Sequence, residues 1–292
     1  MKKLILFILI MCLGCFKAWA GETKLNTYGA LYGTYLDYSG SKLKDNGYAV
    51  TGYLSIGDGI NHNIQIGIAS THINYKNNYS DLDQQDFTFA YSNTNQILKN
   101  HSFTLGIHYI ESDDDLTDHG CTLFFDGTYL NYKNNEFKWS GGLGIYYSNY
   151  DELISFDVLQ LTPHATFKIF SDYQKGGLYL DALGYYIYVD RSNKIGIDES
   201  NYYSLEGDLR YYYGKYDFKI GGWIGQQVFA VKNNGFVVYN LKEEYKGGIY
   251  GEMGYTFENG LRLSFNLGVN NYEENGDSAI QTVGTFSISY KF

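Results

Sequence analysis

Large apolar residues recur at every second position along most of this chain, and that period constrains the fold more than any other feature of the sequence. Ile64, Ile66 and Ile68 alternate with Gln65 and Gly67, and Phe103, Leu105 and Ile107 with Thr104 and Gly106. Leu263, Phe265, Leu267 and Val269 alternate with Ser264, Asn266 and Gly268. Successive side chains of a strand point to opposite faces, so a period of two marks a strand with one apolar and one hydrophilic face. The spacings of three and four that mark an amphipathic helix are not convincing anywhere. Alternating segments, with ends good to about ±3 residues, fall at 25–38, 47–57, 62–73, 85–93, 101–111, 121–132, 136–148, 155–170, 177–189, 202–213, 216–229, 244–257, 261–272 and 279–292. These are about 14 strands, with 12 and 16 as alternatives. No helix or linker divides them, so residues 21–292 are expected to form one all-β domain.

Period two leaves two architectures open. A soluble sandwich hides its apolar faces between two sheets. A closed antiparallel transmembrane β-barrel turns them to lipid and keeps a polar interior. Four features favour the barrel. The positions between the apolar residues carry Gly, Ser, Thr, Asn and Gln, together with charges such as Glu206, Asp208 and Arg210, which need water beside them. The segments have the length that a tilted strand needs to cover an apolar band of ~25 Å. Tyr38, Tyr48, Tyr91, Tyr109, Tyr129, Tyr147, Tyr188, Tyr203, Tyr255, Phe257 and Tyr272 lie near strand ends, where aromatics meet the membrane–water boundary. Finally, turns at 58–59, 133–135, 214–215 and 258–260 alternate with longer polar loops at 39–46, 74–84, 112–120, 190–201 and 230–243. The link at 94–100 falls in the short set but is longer. Barrels of the outer membrane have this asymmetry, with short periplasmic turns and long extracellular loops.

The N-terminal segment reads differently. Lys2 and Lys3, an apolar stretch over 4–14 and the Ala18-Trp19-Ala20 step match a cleaved secretory signal over 1–20. Gly14-Cys15 weakly resembles a lipoprotein processing site, but Cys12 and Leu13 are poor upstream residues for it. Cleavage removes Lys2, Lys3 and Lys17 and deepens a formal net charge that is already −10. So acidic a chain does not suit nucleic acid, whose phosphates need Lys and Arg. Cleavage also leaves Cys121 alone, with no cysteine to pair with.

The last strand, in which Phe286, Ile288 and Tyr290 alternate up to a final Phe292, resembles the C-terminal signature of Gram-negative outer-membrane β-barrels. The resemblance implies location in the outer membrane, among its lipid and lipopolysaccharide. It also implies recognition of these four residues by the barrel assembly machinery. The size and strand number resemble the monomeric outer-membrane porin G family, from which no site residue is carried over. Fatty-acid transporters resemble this barrel in strand number, but that family carries an N-terminal hatch for which the few residues before position 25 leave no chain.

The most suggestive constellation is a set of inward charges. Asp181 lies on one strand, Ser204, Glu206, Asp208 and Arg210 on the next, and Lys219 and Trp223 on the one after. Lys246 and Glu252 follow, and then Arg262. Cross-strand pairing of these signs would staple the wall, and the same charges would form a filter that biases which ions pass. The expected function is a porin-like passive diffusion channel for small hydrophilic solutes or ions, with a water-filled lumen and small inward residues such as Gly67, Gly106, Gly142, Gly144 and Gly221. The loop at 230–243, with Phe236-Val237-Val238-Tyr239, is the best candidate to fold into that lumen. Two alternatives stand beside the channel: a structural or surface-interaction barrel with acidic loops, and a barrel hydrolase using inward His108 or His164.

Nothing positive supports an enzyme. His62, His72, His101, His108, His119 and His164 form no metal-ligand pattern, and no cofactor motif occurs. The His-x-Ser-Asn run of outer-membrane phospholipases, the Asp-x-His spacing of omptin-type proteases and a G-x-S-x-G element are all missing. Glu111, Asp113, Asp114, Asp115 and Asp118 make an acidic loop without EF-hand spacing. It reads as a solvated loop, with bridging to lipopolysaccharide through divalent ions as a hypothesis.

Overall fold

A computed structural model describes residues 25–77 and 79–292. The signal expected at 1–20, with Cys12 and Cys15, lies outside the described residues. The strands are β1 (Asn26–Ser39), β2 (Lys44–Gly57), β3 (His62–Tyr75), β4 (Leu82–Thr94), β5 (His101–Ser112), β6 (Cys121–Lys133), β7 (Glu136–Tyr150) and β8 (Phe156–Asp172). They continue with β9 (Gly176–Val189), β10 (Asn201–Tyr213), β11 (Tyr216–Gln227), β12 (Val231–Lys232), β13 (Val237–Val238), β14 (Glu244–Thr256), β15 (Leu261–Glu274) and β16 (Asp277–Lys291). Two-residue β12 and β13 pair only with each other; the other fourteen strands close into one antiparallel barrel in which β1 pairs with both β2 and β16. All fourteen expected segments are strands, with ends within three residues of the expectation.

The alternation sets the two faces. Leu31, Ile68, Leu205, Ile224 and Ile249 each expose more than half of their surface on the outside of the wall. Among the described residues no second sheet covers them, so the sandwich alternative fails. Closure pairs every edge strand, which a backbone in hydrocarbon requires. Turn chemistry is local. Asn134 and Asn135 both take positive φ (54° and 61°) in the turn from β6 to β7, the conformation that matches the twist of a two-residue hairpin. On the long-loop side, Asn275 and Gly276 (φ 52° and 81°) turn β15 into β16 in the same way.

Three features depart from the sequence reading. A short helix, α1 (Ser192–Ile195), stands in the loop after β9, where no helix was expected. Tyr38 and Tyr272 are not boundary aromatics. They turn inward, pack edge to face at 6.3 Å and flank the buried Lys44 ammonium at 5.5 and 5.8 Å. Part of the interior is also apolar rather than wet. Phe156, Val158, Ile187 and Val189 point inward from the long-loop halves of β8 and β9 and join Phe124, Tyr146 and Tyr150 in a buried cluster. The missing partner of that cluster is the chain between β11 and β14.

Candidate functional site

The charges on β9, β10, β11, β14 and β15 form a ladder down one side of the lumen. It begins at Glu206, whose Oε2 accepts from Tyr185 (3.0 Å) and whose Oε1 accepts from Tyr250 (2.9 Å). Asp208 comes next, with Oδ2 3.2 Å from Lys219 Nζ. Arg210 donates to Asp181 through both Nε and Nη2, the latter at 2.8 Å. Lowest is Arg262, whose Nε reaches Asp217 at 2.9 Å and whose Nη2 reaches Glu252 at 2.7 Å. The pairing is diagonal: the register sets Arg210 opposite Lys219 and Asp208 opposite Asp181, so Arg210 reaches across to Asp181 and Lys219 to Asp208, each one inward position along the facing strand. Opposite charges on facing strands hold each other's long side chains against the wall.

Seven of the eight residues expected from sequence thus line this side of the lumen. Lys246 does not join them. The register shifts between Tyr245 and Gly247, and the ammonium instead meets Glu244 and, at 3.0 Å, Glu273 near the long-loop rim. One extra residue is enough to change the face a side chain takes. The four C-terminal residues Phe286, Ile288, Tyr290 and Phe292 all face outward and expose a third or more of their surface.

The second component is the segment 228–243, which folds into the barrel as expected of 230–243. Val228, Phe229, Ala230 and Val231 are all but completely buried, and Phe229 packs on Phe156 and Tyr150 at 5.2 and 5.8 Å. Gln160 clamps the chain: Val231 N donates to its Oε1 at 2.8 Å, and its Nε2 donates to Val231 O at 2.6 Å. Asn240 donates to Gln84 and to Thr117, each at 2.9 Å. His108 sits under the short β12–β13 hairpin, with Nδ1 3.0 Å from Gly235 O and Nε2 3.0 Å from Asp86 Oδ1. Phe236 crosses to β2 and β3, 5.4 Å from the Tyr53 ring. These contacts span the lumen, so the segment acts as a plug. One of its residues enters the ladder: Lys232 donates to Glu206 Oε2 at 3.0 Å. Burial pulls the Lys232 ammonium below the ordinary lysine value, against the opposing pull of Glu206.

Above the plug opens a mouth of about 870 Å³. Asp113, Asp114, Asp115, Asp198, Glu243, Glu244, Glu273 and Glu274 line it with Lys194 and Lys242, and Lys44 and Lys246 pair four of these carboxylates, Glu243 and Glu274 with the first and Glu244 and Glu273 with the second. Burial pushes the Asp114 carboxyl above its ordinary value. The acidic loop serves its own backbone: Asp114 Oδ2 accepts from Thr117 at 2.8 Å, and Asp118 Oδ1 accepts from Ser112 N at 2.8 Å. No group of three or more metal-ligating side chains converges among the described residues. Towards the short-turn end, a hollow of about 480 Å³ is bounded by Arg210, Tyr179, Thr166 and Ser140.

His108 and His164 both face inward as expected, but each is tied to a carboxylate, Asp86 for the first and Asp126 at 2.7 Å for the second. Neither has a serine or cysteine among those partners; His108 Nδ1 lies 2.7 Å from the buried Thr88 hydroxyl and 3.0 Å from Gly235 O of the plug. Sequence reasoning did not find Asp217, Gln160 or Lys232. Asp217 had a signal, since it shares the parity of Lys219; the other two act through partners far away in the chain.

The fold is that of outer-membrane β-barrels. The CymD monoaromatic hydrocarbon channel superposes with a TM-score of 0.59 at 12% identity, covering 91% of this chain and 88% of that one. The Ralstonia pickettii toluene transporter TbuX gives 0.57 at 10% identity, over 94% and 90%. A bacterial polysaccharide outer-membrane secretin gives 0.51 at 9% identity, over 91% and 98%. No protein-family model and no curated protein matches the sequence.

Proposed function

We propose that this chain is an outer-membrane channel of porin type, exported by a cleaved signal and assembled through its C-terminal strand. Small hydrophilic solutes or ions cross it by passive diffusion, and the plug 228–243 sets the width of the path. The observation that carries this reading is the charge ladder from Glu206 to Arg262. A wall of paired carboxylates and cations on five adjacent strands is hydrated most cheaply by a wet lumen, and it is costly in a dry one. The ladder then acts as a charge filter, and the carboxylates of the mouth draw cations towards it. The resemblance in size and strand number to the monomeric porin G family agrees with a channel that works as one chain. Planar-bilayer recording of the purified, folded barrel tests this. The expected result is a steady ion current that grows when residues 230–240 are replaced by a short Gly-Ser link. Absence of current in both forms removes the channel and leaves the fold.

A second reading has its own support. The apolar bed of Phe124, Tyr146 and Phe156, now covered by Phe229 of the plug, suits an apolar cargo when the plug is displaced, and two similar structures are described as a hydrocarbon channel and a toluene transporter. Uptake of toluene by vesicles carrying the barrel favours this reading if it exceeds that of empty vesicles.

A further inference from the structure

The Lys232 ammonium occupies a pocket built from side chains that do not depend on it. It lies 4.8 Å from the Trp223 ring and 5.3 Å from the Tyr185 ring, with Glu206 Oε2 at 3.0 Å. The pocket is deeply buried: Trp223 is 8% and Tyr185 6% exposed. Its walls stand on barrel strands and are fixed by other contacts. Trp223 Nε1 donates to Asn270 at 3.2 Å, and Glu206 is held by the hydroxyls of Tyr185 and Tyr250. Lys232, in contrast, hangs from the plug, by far the longest loop of the barrel.

If Lys232 leaves, Glu206 is a buried carboxylate with no other ion-pair partner among the described residues. Lys219 pairs with Asp208 and lies 5.1 Å from the Tyr250 ring, and Arg210 pairs with Asp181. Two aromatic faces and an unpaired carboxylate then surround a space the size of an ammonium group. Aromatic faces and a carboxylate together select a positive, weakly hydrated ligand over a small hard ion, because ring quadrupoles attract cations that shed water readily.

We propose that Glu206, Trp223, Tyr185 and Tyr250 form a binding site for compact alkylammonium ions, from primary amines to quaternary ammonium, and that Lys232 is a tethered mimic of that ligand. An incoming ammonium ion competes with Lys232, and winning the pocket releases one anchor of the plug. The proposal rests on the channel reading for how a solute reaches the pocket; the pocket itself is tested without any current.

The probe is tetramethylammonium chloride, titrated against sodium chloride at matched ionic strength into the full barrel in a maltoside detergent, which has no ammonium headgroup. Binding is read by fluorine NMR of 5-fluorotryptophan, with the Trp223 resonance assigned from Trp223→Phe. Lys232→Met is expected to give a saturable shift that sodium does not produce. The wild type is expected to bind about tenfold more weakly, because the tethered amine competes at an effective concentration in the millimolar range. Lys232→Met combined with Glu206→Gln is expected to lose the shift. No saturable shift in Lys232→Met, or equal binding in the double variant, overturns the proposal. If Lys232→Met does not fold, saturating tetramethylammonium on the wild type must still speed amide exchange over 230–239; unchanged exchange overturns it. A barrel that binds but carries no current keeps the pocket and loses the channel. A barrel that conducts without a shift loses the pocket alone.

Discussion

Phe236 lies so close to Gly67 that the glycine has no space for a side chain: a Cβ built there would stand 2.9 Å from Phe236 Cδ1. Absence of a side chain on β3 is what lets the plug rest against the far wall. Gly67→Val is expected to push Phe236 off and weaken docking by about 1–3 kcal/mol, the usual cost of overpacking. Single-channel conductance should rise and trypsin should cut at Lys232 in the folded barrel. Unchanged conductance and resistance to trypsin would mean that Phe236 does not hold the plug.

Gln160 gives the plug its two backbone hydrogen bonds at Val231. Gln160→Ala leaves a buried N–H and C=O without partners, at a cost of roughly 1–3 kcal/mol. Amide exchange at Val231 should accelerate by about tenfold or more, while exchange in β1 and β16 stays slow. Equal exchange in variant and wild type rules the clamp out.

Arg262 compensates two carboxylates at once, Asp217 and Glu252. Arg262→Gln should move the reversal potential in a potassium chloride gradient towards cations. The shift should be larger at 0.1 M than at 1 M salt, because the screening length falls from about 10 Å to about 3 Å. A variant as selective as the wild type at low salt would leave the filter without support at this position.

Asp58 supplies a pH dependence outside the membrane. Its environment slightly opposes ionisation, but its Oδ1 accepts from the backbone N–H groups of Ile60, Asn61 and His62 at 2.8, 2.7 and 3.0 Å, and these hold the carboxyl below its ordinary value. A depressed folded pKa means that the turn binds the proton less readily than the open chain. Its stabilisation is therefore present above the ordinary aspartate value and is lost as pH falls through the lowered one. NMR titration should show the three amide protons keeping their downfield shifts at pH 5 and losing them only below the usual carboxylate range. Loss at pH 5 contradicts the assignment.

Phe292 ends the chain with its N–H donating to Thr27 O at 2.8 Å and its ring 4.9 Å from that of Tyr290. Deleting it is expected to lower the outer-membrane yield several-fold in cells, while barrel already folded keeps its heat-modifiable migration on gels. Full yield without Phe292 would remove it from the assembly signal.

The strands were legible because their information is local: one residue in, one residue out, and a turn whose Asn or Gly accepts positive φ, as at Asn134-Asn135. Seven ladder positions followed from parity alone. Lys246 escaped because a bulge leaves no trace in an alternating pattern, and a slip of one residue exchanges the faces. The apolar bed did leave a trace. Phe156, Val158, Leu159 and Leu161, like the run Tyr185 to Val189, are apolar on both parities, as strands covered on both faces are. The role of Lys232 had no local signal. It depends on Glu206 and Trp223, which only barrel closure brings to it.

The pairing of β1 with β16 has a consequence for how this molecule comes into being. Its first strand cannot be satisfied until its last has been made and delivered, so no truncated product has both borders sealed. Any state in which β1 and β16 are apart carries two open strand edges.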